Sequence, residues 1–110
     1  MNTLANPGIA ITADHPAFAG HFPGRPILPG VALVAEVLEA AAADPALARA
    51  IGAAPQISVV KFLAPVGPGA LLEIAFQIGE RSVAFSVSDR GRAAASGQLA
   101  RADRASGPAP

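Results

Sequence analysis

Cysteine, tryptophan and tyrosine are absent from the chain, and its aromatic content is five phenylalanines. Without cysteine there is no disulfide, no thiolate metal site and no thiol nucleophile, and the composition fits a reducing cytoplasm. Two histidines and no spaced cluster of carboxylates leave no zinc constellation. Charge of one sign is also missing: eight basic and eight acidic residues give a net charge of zero, so nothing in the balance calls for nucleic acid or an acidic membrane surface. The longest apolar stretch starts at Ile27 and is interrupted by Pro29, Glu36 and Glu39, short of the roughly twenty residues a membrane span needs. Residues 1–7 carry neither the basic nor the apolar segment of a secretory signal. The expectation is a soluble, cytoplasmic protein with no metal, no cofactor, and neither nucleic acid nor membrane as partner.

What is present is a single domain's worth of apolar residues. The chain has 110 residues, 52% of them hydrophobic, which suffices for one core and is too short for two. We expect one domain over residues 1–102 and a frayed tail over 103–110, where Ser, Gly and Pro replace apolar residues. Residues 8–12 form a β-prone run that stops at Asp14-His15-Pro16, a turn signature that leaves His15 as a surface imidazole. Apolar spacing through Val31, Leu33, Val34, Val37 and Leu38 predicts a helix from about Gly30 to Ala43, ended by Asp44-Pro45. A short turn over 46–51 follows, closed by Gly52.

Strands are predicted over 56–64, 70–78, 82–88 and 93–101, separated by Val66-Gly67-Pro68-Gly69, Gly79-Glu80-Arg81 and Asp89-Arg90-Gly91-Arg92. The two glycines near Pro68 lack the lysine and spacing of a phosphate-binding loop. Lys61, Arg25, Arg90, Arg92 and Arg101 are scattered and read as solvated cations. An apolar helix beside about five strands is buried most economically when an antiparallel sheet curls around it, an α+β arrangement. Such a small sheet leaves an open edge, which pairing with a second copy covers, so a homodimer or higher assembly is expected.

The chemistry is concentrated between His21 and Glu36. Proline fixes φ and glycine permits close backbone approach, so His21-Phe22-Pro23-Gly24-Arg25-Pro26-Ile27-Leu28-Pro29-Gly30 is a stiff loop that delivers an imidazole to the start of a helix. Histidine ionises near neutrality and is suited to proton abstraction. Unpaired amides and the positive dipole end at Gly30 suit an oxygen on which negative charge develops.

The run from His21 to Glu36 resembles the signature of the 3-hydroxyacyl-[acyl-carrier-protein] dehydratases, the FabA/FabZ-like family, and more broadly of single-domain hotdog-fold proteins. Lys61-Phe62-Leu63-Ala64-Pro65-Val66-Gly67-Pro68-Gly69 is similar to a second family segment. The resemblance implies a hotdog fold: a curled antiparallel sheet of about five strands around one long central helix. It implies a lyase of fatty-acid or related acyl-chain synthesis whose substrate is a 3-hydroxyacyl thioester on acyl carrier protein. His21 takes the base position, and Phe22, Gly24, Pro29, Gly30, Val31 and Ala35 fall among substrate-binding positions.

One departure matters. The family carries Glu or Asp fourteen residues after the histidine, reaching the site completed by the other protomer's histidine, and here that position is Ala35. Glu36 is one residue on, a rotation of about 100° around a helix. Two roles for Glu36 stay open: the catalytic acid, or a solvated or interface carboxylate. Three functions stay open with it: the dehydratase, a hotdog acyl thioesterase, and a non-catalytic acyl-thioester-binding module.

Overall fold

The computed structural model describes residues 2–5, 8–12, 14–16 and 27–102. Strands β1 (Asn2–Ala5) and β2 (Ile9–Ile11) precede helices α1 (Gly30–Ala42) and α2 (Pro45–Ile51). Strands β3 (Ile57–Phe62), β4 (Ala70–Ile78), β5 (Ser82–Asp89) and β6 (Arg92–Ala100) follow. All pairings are antiparallel, in the order β1-β4-β5-β6-β3, with β2 also paired to β4. Asn2 to Ala5 lie opposite Ile78 to Ala75, and Ile9 to Ile11 opposite Leu72 to Ala70. β1 and β2 are thus two pieces of one edge position, with the register stepping by a residue between them. The result is the curled five-position sheet of the expected α+β class. β1 was not anticipated from the sequence. The expected tail over 103–110 lies outside the described residues.

Side-chain periodicity explains the layers. Along β4, Ala70, Leu72, Ile74 and Phe76 are buried and Leu71, Glu73 and Gln77 exposed, while Val83, Phe85 and Val87 point inward from β5. On α1 the buried set is Leu33, Val37, Ala40 and Ala41, spaced for one helical stripe. Burying each large aliphatic or aromatic side chain contributes about 1.5–3 kcal/mol, more than the roughly 0.5–1.5 kcal/mol net of a hydrogen bond. Apolar contact therefore fixes which face of the 13-residue α1 meets the sheet. No helix among the described residues is long and apolar enough to cross a membrane.

Two local details refine the expectations. The segment after α1 is a second helix, where the sequence suggested a turn: the Asp44 carboxylate accepts from the amides of Ala46 (2.9 Å) and Leu47 (3.1 Å), and Pro45 occupies the first turn. Asp44-Pro45 thus ends one helix and begins the next. The β5–β6 turn has positive φ at both Arg90 (52°) and Gly91 (87°), the twist a two-residue hairpin requires.

The far edge is different in character. Among the described residues β3 pairs with β6 alone, and Ile57, Val59 and Phe62 are all exposed on it. Its register shifts between Ile57 and Val59, opposite Leu99 and Gln98, and Gly97 pairs with the next residue, Val60. A Cβ at Gly97 would lie 2.3 Å from the Val59 carbonyl oxygen and 2.6 Å from the Phe85 ring. The close approach of β3 and the Phe85 ring to β6 at Gly97 leaves no room for a side chain there. Gly97→Ala is expected to destabilise the protein by about 1–3 kcal/mol, the usual cost of overpacking, measured by urea denaturation; an unchanged midpoint would contradict this packing.

Candidate active site

The site is organised by the turn over residues 66–69. Val66 and Leu28 are both buried, and the Leu28 amide donates to the Val66 carbonyl at 2.6 Å. Three residues on, the Gly69 amide donates to the Ile11 carbonyl at 2.7 Å, and the Arg90 guanidinium donates to the Gly69 carbonyl at 2.9 Å. The end of β2 and the approach to α1 are therefore fastened to the same turn. The chain between them carries His21, Phe22 and Gly24, which lie outside the described residues.

From Leu28 the chain enters α1 directly. Pro29 stands at the N-cap in extended geometry (φ −60°, ψ 151°) with no side-chain cap, and its carbonyl accepts from Ala32 and Leu33, both at 3.0 Å. Among the described residues nothing accepts from the amides of Gly30 and Val31. No acidic residue occupies the first turn, so the positive end of the helix is not neutralised from within. A groove of about 410 Å³ opens beside it, lined by Ile27, Leu28, Gly30, Leu33, Phe62 and the 63–66 segment. The Phe62 ring lies over Gly30: a Cβ there would be 2.8 Å from it. A glycine at the helix start thus lets an aromatic wall approach the free amides.

α1 separates the remaining candidates. Val31 is 82% exposed and Ala35, one turn later on the same face, is also exposed. Both point away from the sheet. Glu36 sits on the helix flank, half-buried, and its Oε2 lies 3.0 Å from Nε2 of His15. A carboxylate oxygen accepts, so Nε2 carries the proton of that bond. The turn expected at Asp14-His15-Pro16 is present, with the His15 amide donating to the Thr12 carbonyl at 3.1 Å. The imidazole, however, is not the surface group the sequence suggested: it packs back onto α1 with 21% of its side chain exposed. That pairing joins residues 21 apart, and no local pattern announces it. Fully exposed Asp14 has its carboxyl held below the ordinary value, chiefly because the Thr12 hydroxyl donates to it.

The structure therefore brings together Pro29, Gly30 and the exposed face of Val31 and Ala35, and sets Glu36 apart on another flank. No group of three metal-ligating side chains occurs among the described residues.

Comparison with known proteins fits this fold. The family model described as ApeI-like, ApeI dehydratase, matches residues 4–98. The 3-hydroxyacyl-[acyl-carrier-protein] dehydratase FabZ of Thermomicrobium roseum is 33% identical over 82% of this chain and 62% of its own length. The FabZ of Rhizorhabdus wittichii is 40% identical over 61% of this chain and 48% of its own. The chain thus spans about half to two thirds of the length of these curated relatives. Among solved structures, the dehydratase heterocomplex ApeI:P from Xenorhabdus doucetiae superposes with a TM-score of 0.70 at 26% identity, covering 90% of this chain and 84% of that one. An uncharacterized protein from Erwinia carotovora subsp. atroseptica gives 0.66 at 26% identity, covering 92% and 96%. With the fold and a family match over residues 4–98 in agreement, this protein belongs to the ApeI-like dehydratase family of hotdog proteins.

Proposed function

We propose that this chain is a dehydratase-like hotdog protein that acts on 3-hydroxyacyl thioesters carried by acyl carrier protein, in the cytoplasm and in fatty-acid or related acyl-chain synthesis. The observation that carries the reading is the α1 start: free amides at Gly30 and Val31 beside an apolar groove. A thioester oxygen seated there gains two donors and a positive dipole end as it becomes enolate-like. His21 takes the C2 proton; the C2–H electrons form the C2–C3 double bond and the C3–O bond breaks. The hydroxyl leaves as water only if a proton reaches it, which is the task of an acid at position 35.

Alanine there leaves that step unassisted, and Glu36 is held by His15 on another flank. General acid catalysis contributes about two to four orders of magnitude, so native turnover is weak. His21→Ala is expected to abolish it with an unchanged circular dichroism spectrum. Ala35→Glu is expected to raise it, and Glu36→Gln to have the smaller effect, followed by the absorbance of the enoyl thioester. If Glu36→Gln destroys turnover and Ala35→Glu adds nothing, Glu36 is the acid. Free thiol release from saturated acyl thioesters would instead favour the thioesterase, and binding without turnover the acyl-binding module.

The proposed assembly is a homodimer. Ile57, Val59, Phe62 and Leu63 on and beside the β3 edge, with Val31 on α1, leave apolar side chains in water next to unpaired backbone. Light scattering is expected to give twice the 10.9 kDa chain mass. A monomer at micromolar concentration would count against the shared site. The exposure of Ala35 favours one second reading. A homodimer has alanine at both acid positions, and the structural relative from Xenorhabdus doucetiae is described as a heterocomplex; a second hotdog chain bearing Glu or Asp at this helix position would put a carboxylate opposite His21.

A further inference from the structure

A second groove lies between α2 and the end of α1 far from Gly30. It encloses about 590 Å³, more than the groove beside Gly30, and its apolar walls include Leu38, Ala42, Ile51 and Pro55. Two charges stand on it, Glu39 of α1 and Arg49 in the last turn of α2. Both are exposed, and neither has an ion-pair partner among the described residues. No step of the proposed reaction uses this groove. We infer that it receives the tip of the β4–β5 hairpin of a second copy of the chain, reciprocally, in an end-to-end contact distinct from pairing along the β3 edge.

Three observations carry it. The first is charge. The hairpin tip presents Glu80 and Arg81, both exposed and also without an ion-pair partner among the described residues. Tip and groove therefore offer complementary sets, Glu80 for Arg49 and Arg81 for Glu39. Arginine can lay its aliphatic stem along apolar walls while its guanidinium stays at the wet rim, so Arg81 suits the groove as well as the carboxylate. The second is placement. Ile57, Leu99, Val83 and Ile78 are aligned across the sheet, so the tip and the start of β3 share one end of it, the end that α2 leads into. A Cβ at Gly52, on the groove, would lie 2.6 Å from the Ala102 side chain, and the preceding residue, Arg101, donates to the Gly79 carbonyl at 2.7 Å. Groove and tip are thus joined through two consecutive residues and held at a fixed offset. The third is symmetry. Because a socket and its complement share one end, a two-fold rotation that seats one tip in the facing groove seats the other too, and the contact closes instead of propagating. Its ion pairs are exposed and individually weak, so the association is weak and falls with salt.

Sedimentation velocity over a concentration series, on the full-length chain, tests the contact. Arg49→Glu and Glu80→Arg each set like charges against one another at both halves of it, and each is expected to weaken the association by about tenfold. Mixed in equal amounts, the two variants are expected to recover the association of the parent, because the reversed groove of one chain meets the reversed tip of the other while the second half keeps Arg49 opposite Glu80. The double variant carrying both substitutions is expected to recover it on its own. Pairing along the β3 edge is indifferent to these changes, so the pattern of loss and recovery belongs to the end contact alone. Should either variant fail to fold, Glu39→Arg and Arg81→Glu carry the same comparison on the other ion pair. Association unchanged in the single variants overturns the inference and leaves the groove to another occupant. Failure of the mixture to recover overturns it equally, as does a parent whose mass holds one value across the series.

Discussion

The turn over residues 66–69 is the constraint on which the rest depends. It accepts from Leu28 and donates to Ile11 within four residues, so the long connection between the first edge of the sheet and the helix begins and ends at one place. Loop closure has an entropic cost that grows only slowly with length, and a connection closed at both ends on one stiff turn can be long without loosening what it joins. Pro65 and Pro68 flank Val66 and Gly67 and restrict that turn's backbone. Arg90 reaches across from the exposed β5–β6 hairpin to the Gly69 carbonyl, tying the turn to that hairpin. The helix start is therefore located by the sheet, not by its own cap, for Pro29 contributes no side-chain hydrogen bond. A helix that lacks a cap keeps its first amides for something else.

Much of this was legible in the sequence because it is local. Alternation in β4 and β5 and the stripe on α1 are period signals that survive without tertiary information, and the predicted ends of α1 and of the four later strands fall within a few residues of those observed. The two-residue hairpin at Arg90-Gly91 was equally readable. What was missed depends on contacts distant in the chain. β1 has only four residues and takes its identity from β4, so its own pattern is too short to register. α2 was read as a turn because seven residues are too few for periodicity to outweigh its proline. His15 and Glu36 each looked ordinary, and their meeting is a property of the fold. The proposed base and two of the proposed substrate positions, His21, Phe22 and Gly24, lie outside the described residues, so the family resemblance remains their support.

The helix makes two different statements with adjacent residues. Positions 35 and 36 differ by about 100°, and the structure uses the difference fully: Ala35 faces outward with Val31, and Glu36 turns toward His15. A carboxylate moved by one residue is not a carboxylate slightly displaced. At position 36 it faces a histidine of its own chain, not the outward face. The apolar face so produced, continuous in kind with the exposed side chains of β3, is better suited to a protein partner than a charged one would be, since an unpaired carboxylate at a buried interface costs several kcal/mol.

On the proposed reading, this division also separates the two halves of the reaction. Donors at Gly30 and Val31 act on the thioester oxygen, and an imidazole acts on the C2 proton; neither touches the departing hydroxyl. Interactions accelerate a step only where they strengthen on the way to its transition state, so a site with donors and base but no acid eases the build-up of charge at the thioester and leaves the C3–O bond to break unaided. The same donors stabilise an intact acyl thioester in the ground state, where an acid is not needed. A hotdog site of this composition is thus chemically close to a binding site, and what makes it a dehydratase is a single carboxylate on the outward face of α1, whether placed at position 35 or brought there by a partner.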